Sequence, residues 1–108
     1  MTSYLFIESH DNFGSTHGGF CAALAPILAA GGATVTVLLV QNGVLPARAA
    51  ARAPGLAKLL EAGVGVLADA FSLRERGIAA AQLATGIAAT ELDIVIDRLS
   101  DGWKVVWH

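Results

Sequence analysis

ATVTVLLVQNGV, residues 33–44, is the stretch that decides how the chain is read. β-Branched residues crowd its start (Thr34, Val35, Thr36, Val37), and Leu38, Leu39 and Val40 continue it without a polar break. Gln41-Asn42-Gly43 then closes it as a polar turn. A half-exposed strand would alternate apolar and polar residues, so an unbroken run points to a strand buried on both faces of a parallel sheet. In open parallel sheets helices cover both faces, and ligands bind beyond the carboxyl ends of the strands. Gln41 and Asn42 therefore lie where a binding site is expected.

Upstream, residues 4–8 (YLFIE) read as the first strand. The polar loop that follows, with His10, Asn12, Ser15 and His17, sits at that strand's carboxyl end and is placed to touch a ligand. A helix is expected from residue 15 or 16 to Ala30, with Phe20, Leu24, Ile27 and Leu28 on its buried face. Pro26 should kink it or break a turn locally, and Gly31-Gly32 should end it. Residues 20–40 carry no charge and have about the length of a membrane span. Pro26, the glycine pair and the change from alanine-rich to β-branched composition divide this segment into a helix and a strand, so no membrane association is expected.

Downstream, residues 45–52 predict a short helix with Arg48 and Arg52 on an exposed edge. Pro54 suits the first turn of a further helix, whose stripe is Leu56, Leu59 and Leu60 and whose stop is Gly63. Residues 64–68 form the third strand, and Ser72-Leu73-Arg74-Glu75 has the spacing of a capping box with Ser72 at the helix start. Gly77 limits that helix to one turn, its amides facing Asp69. Residues 78–89 have little periodicity and suggest a short helix closing at Leu83, then a short strand at 87–89. Leu92, Val95, Ile96 and Leu99 mark the apolar face of a last helix, and residues 103–108 (WKVVWH) a last strand with both tryptophans on one face. This order predicts one α/β domain over residues 1–108, a three-layer α/β/α arrangement with a mostly parallel sheet of about five strands.

Composition narrows the function classes. With 7 Lys+Arg against 9 Asp+Glu, nothing in the charge balance suits nucleic acid. A single cysteine excludes an internal disulfide, and no basic-apolar leader opens the sequence, so a reducing cytoplasm is the expected compartment. The 55% apolar share against 15% charged exceeds what a small lone domain covers with polar surface, which predicts a homo-oligomer.

Three strand ends are expected to bring together His10 and Asn12, Gln41 and Asn42, and Asp69 with Ser72. Amides at a helix start favour an anion and Arg74 or Arg76 would add positive charge, but the Asp69 carboxylate competes for the same place. The alternative is that Asp69 and Ser72 only order the turn. His17 and Cys21 are four residues apart with His10 nearby, yet no second cysteine follows, and Cys21 lies beside Phe20 and Leu24, where a thiol acts as a small hydrophobe. No metal and no cofactor are expected, and Gly18-Gly19 lacks the spacing of a phosphate loop.

The succession of strand, long helix, apolar strand, Gln-Asn-Gly-Val (41–44), Leu-Arg-Glu-Arg-Gly-Ile (73–78) and a closing Lys-Val-Val-Trp (104–107) resembles the DsrE/DsrF-like sulfur-relay family over nearly the whole chain. The resemblance implies a small α/β domain, assembly as a trimer or hexamer, and a sulfur-relay or redox protein as partner. It also implies persulfide transfer on a cysteine just after the third strand, in active subunits. Counted back from Arg76-Gly77, that position falls at Asp69 or beside it, and residues 67–73 contain no cysteine. A carboxylate cannot take up sulfane sulfur, so the resemblance implies a binding or scaffold subunit rather than a sulfurtransferase. The alternative is a sulfur carrier using Cys21, or a small-molecule site at the strand ends.

Overall fold

The computed structural model describes residues 2–11, 13 and 19–108. Five strands, β1 (Ser3–Glu8), β2 (Thr34–Leu39), β3 (Gly65–Asp69), β4 (Ile87–Thr90) and β5 (Lys104–Trp107), form one sheet in the order β4-β3-β2-β1-β5. Every neighbouring pair is parallel. The helices are α1 (Gly19–Ala30), α2 (Pro54–Glu61), α3 (Ala70–Glu75) and α4 (Asp93–Ser100). Together they make the three-layer α/β/α architecture.

The central position of β2 explains its composition. Val35, Val37 and Leu39 enter the core beneath α1 and α2, whereas Leu38 and Val40 enter a second core beneath α4. Each such side chain, fully buried, contributes about 1.5–3 kcal/mol, so an uninterrupted apolar run is what this strand needs. The path β1 to β4 steps outward in one direction, and β5 returns to the other side of β1. Right-handed crossovers consequently put α1 and α2 on one face and leave α4 on the other.

Four local expectations are corrected. The buried face of α1 is Cys21 and Ala25 with Leu24 and Leu28 half-buried, while Phe20 and Ile27 point outward, because small residues let the helix settle against the sheet. No turn is broken at Pro26, since the helix is continuous from Gly19 to Ala30. Residues 45–52 are not α-helical: the chain winds as 3-10 turns over Gln41–Ala47 and Ala49–Ala51, and Arg52 is left-handed at φ 49°. On α4, Ile94 and Val95 face the core, with the Arg98 guanidinium 5.0 Å from the Trp103 ring, and Leu92, Ile96 and Leu99 are exposed. Among the described residues no helix is long and apolar enough to cross a membrane.

Gly43 lies in the turn after β2, packed so closely on β1 that an added Cβ would overlap the Glu8 carbonyl oxygen. Gly43→Ala is therefore expected to lower unfolding free energy by about 1–3 kcal/mol in urea melts, since backbone must move to accept it. Gly31→Ala, whose methyl would meet its nearest atom at 3.5 Å, should be neutral or stabilising by at most about 1 kcal/mol.

Candidate functional site

All strands run the same way, so their carboxyl ends share one edge, and side-chain alternation sorts the residues there onto two faces. On the α4 face the ends of β2 and β3 meet the start of α3. Asp69, 2% exposed, is the N-cap of α3: its Oδ2 accepts the Ser72 amide at 3.0 Å and the Ser72 hydroxyl at 2.6 Å. The hydroxyl oxygen of Ser72 in turn accepts the Gln41 amide at 2.8 Å. This relay holds Gln41 at φ 52°, a left-handed conformation that a residue with a side chain adopts only when its surroundings require it. The expected capping box is thus displaced: Asp69 caps, and Ser72 sits inside the first turn as donor.

The guanidinium of Arg76 donates to Asn42 Oδ1 through Nε at 3.2 Å and Nη2 at 3.0 Å, and to the Ser72 carbonyl through Nη1 at 3.2 Å. Arg74 was expected here as well, but it lies outside the cleft, 3.9 Å from Glu91. Two residues along a helix is about 200° of rotation, so only one of the two arginines can face Asn42. Val40, Phe71, Leu92 and Trp107 complete a cleft of about 700 Å³ with Gln41, Asn42, Asp69 and Arg76 on its polar side. Asp69 Oδ1 is buried and has no hydrogen-bond partner among the described residues.

On the opposite face, Glu8 points under α1 and is fully buried. His108 Nδ1 lies 3.0 and 3.1 Å from its two oxygens, and His10 gives it the backbone amide at 3.1 Å. Hence His10 does not join Gln41 and Asp69 as expected. Cys21 hydrogen-bonds to Glu8, and burial, followed by the Glu8 charge and that hydrogen bond, pushes its thiol up to about 12. A thiol so protonated and covered is no nucleophile. Asn12, Ser15 and His17 lie outside the described residues. Sequence reasoning missed Glu8, Trp107 and His108, although an acidic residue closing YLFIE on the same face as Phe6 was a visible signal for a buried charge.

No protein-family model matches the chain, and no curated protein does. Solved structures match its shape end to end. The ychN protein from E. coli is similar at TM-score 0.80 and 18% identity over 100% of both chains. MTH1491 from Methanobacterium thermoautotrophicum, a protein of unknown function, gives 0.74 and 16% over 100% of both. BT1422 from Bacteroides thetaiotaomicron, also of unknown function, gives 0.75 and 19% over 97% of this chain and 94% of its own. At these identities the likeness is one of fold.

The relay is open to a direct test of coupling. Asp69→Ala removes the cap and Ser72→Ala leaves the Gln41 amide without its acceptor, so each should cost about 1–2 kcal/mol. Because they share one hydrogen bond, the double variant should cost less than the sum by at least about 0.5 kcal/mol in a double-mutant cycle. Strict additivity would show that the two groups act separately.

Proposed function

We propose that the protein is a homo-oligomeric, DsrE-like binding subunit that serves a sulfur-relay or redox partner in the cytoplasm and carries no persulfide itself. The observation behind this reading is the setting of residue 69. Where the resembling family's active subunits hold a thiolate, this chain holds a carboxylate that orders α3 with one oxygen and leaves the other without a partner among the described residues. Such a group accepts hydrogen bonds but cannot form a persulfide bond. Beside it, Phe71, Leu92 and Trp107 offer apolar surface. The ligand or partner segment that suits this cleft joins a flat apolar group to a hydrogen-bond donor.

Assembly is supported by the uneven covering of the sheet. A parallel sheet is normally buried on both faces, and here α4, eight residues long, is the only helix on its side among the described residues. Its outer stripe of Leu92, Ile96 and Leu99 continues into the cleft through Leu92, with Ile96 67% and Trp107 66% exposed. An apolar stripe of this kind suits contact with further copies of the chain as a trimer or hexamer.

Three outcomes are expected. In sedimentation velocity at micromolar concentration the wild type should run as an oligomer and Ile96→Glu as a folded, smaller species; a monomeric wild type would remove the assembly reading. Cys21 should resist alkylation in mildly alkaline buffer and react once urea unfolds the chain, because unfolding returns the thiol from about 12 to its ordinary 9.0. Incubation of the native protein with a persulfide donor should add no sulfur by intact mass. A sulfur adduct on native Cys21 would restore the carrier reading.

A further inference from the structure

The strand order reverses between β1 and β5, since β1 leads outward to β2, β3 and β4, whereas β5 lies on its other side. Open α/β sheets have their natural crevice at such a reversal, where the connections leave in opposite directions. Glu8 and His108 stand at that place. The ladder continues past the last paired residues, with the His108 amide donating to the Ile7 carbonyl at 2.8 Å and the Ser9 amide to the His108 carbonyl at 3.0 Å. Backbone pairing therefore fixes the two side chains next to each other on the α1 face.

Three side chains with donor atoms converge there. The carboxylate of Glu8 forms a floor with no exposed surface, and the imidazoles of His10 and His108 form a rim open to solvent, their side chains 66% and 41% exposed. His10 Nδ1 is 3.5 Å and His108 Nδ1 3.0 Å from a Glu8 oxygen, and the three ligand atoms all lie within 4.8 Å of one another. Around a cation with bonds of about 2.0–2.2 Å, tetrahedral geometry separates neighbouring donors by roughly 3.3 Å, so small rotations of the exposed rings bring the set into range. The rings are also oriented: Phe20 stacks on His108 at 5.4 Å between centroids, and His10 meets His108 edge-on at 5.7 Å.

We propose that Glu8, His10 and His108 form a binding site for one divalent transition-metal cation of the zinc type. Two imidazoles and one carboxylate are a donor set that suits this class, whereas calcium and magnesium prefer oxygen alone. Three protein ligands leave at least one coordination position for water or an exogenous donor. The site lies on the opposite face from the Asp69 cleft, and the proposal does not rest on the reading given to that cleft.

The test uses the full chain with no added histidine tag. Calorimetric titration with Zn²⁺ should give one cation per chain, Zn²⁺ should raise the melting temperature, and Co²⁺ should produce visible bands of a four- or five-coordinate ion. His10→Ala and His108→Ala should each weaken Zn²⁺ binding by about tenfold or more, as losing a ligand does at least as much as losing an outer contact. Cys21→Ala should keep the one-to-one stoichiometry. Since Glu8→Gln risks misfolding at a fully buried position, the exposed His10 carries the decision. Absence of saturable binding, binding of unchanged strength in both histidine variants, or binding that is lost only in His17→Ala would overturn the proposal.

Discussion

Parallel pairing is the constraint on which the rest of this molecule depends. With all five strands pointing one way, every strand end that can carry function falls on the same edge, and alternation of side chains then divides that edge between two faces. The register places Ile7 opposite Trp107, so that Glu8 and His108 follow together on the α1 face, while Asp69 leaves β3 toward the other. One chain thus presents two polar assemblies separated by the thickness of a sheet. They are linked through the backbone, since Trp107 of the cleft precedes His108 and the Gly43 turn presses on the Glu8 carbonyl.

The second organising feature is the imbalance of the two helical layers. On the α1 face, Phe6, Phe13, Val37, Leu59 and their neighbours form one large core closed by α1, α2 and, through Leu73, α3. On the other, Leu5, Ile7, Leu38 and Val40 are covered by Ile94, Val95 and Trp103, and the outer stripe of α4 remains in solvent. An amphipathic helix normally turns its richest apolar stripe to its own sheet. Here α4 turns a narrower one inward, with Arg98 lying across Trp103, and keeps Leu92, Ile96 and Leu99 outside. That orientation is what leaves part of the chain's apolar surface outside its two cores.

The chemistry of the two assemblies differs by burial and pairing. Asp69 is held at the start of α3 by two donors of one residue, the amide and the hydroxyl of Ser72. Cys21 meets the opposite conditions. It has no exposed surface, and its nearest charge is negative, so the protonated thiol is the form the structure favours. The chain's one cysteine is in this way a packing element.

Periodicity was enough for four of the five strands and most of the helices, β4 lying in a stretch with little of it, because burial on both faces imposes a continuous apolar run on β2 and because Gly31-Gly32, Pro54, Gly63 and Gly77 punctuate the chain where backbone geometry demands it. It also located Gln41, Asn42, Asp69 and Ser72 at strand ends, since parallel topology leaves no other edge. What it could not decide was rotation and partnership. Whether Phe20 or Cys21 faces the sheet, whether the stripe of Leu92, Ile96 and Leu99 turns in or out, and which arginine meets Asn42 depend on how whole elements settle against each other. Apolar residues around most of α1 and α4 allow more than one answer locally. The pairing of Glu8 with His108 spans almost the entire chain. It exists only because β5 returns to the free edge of β1, a choice made by the packing of the full sheet and invisible in either segment by itself.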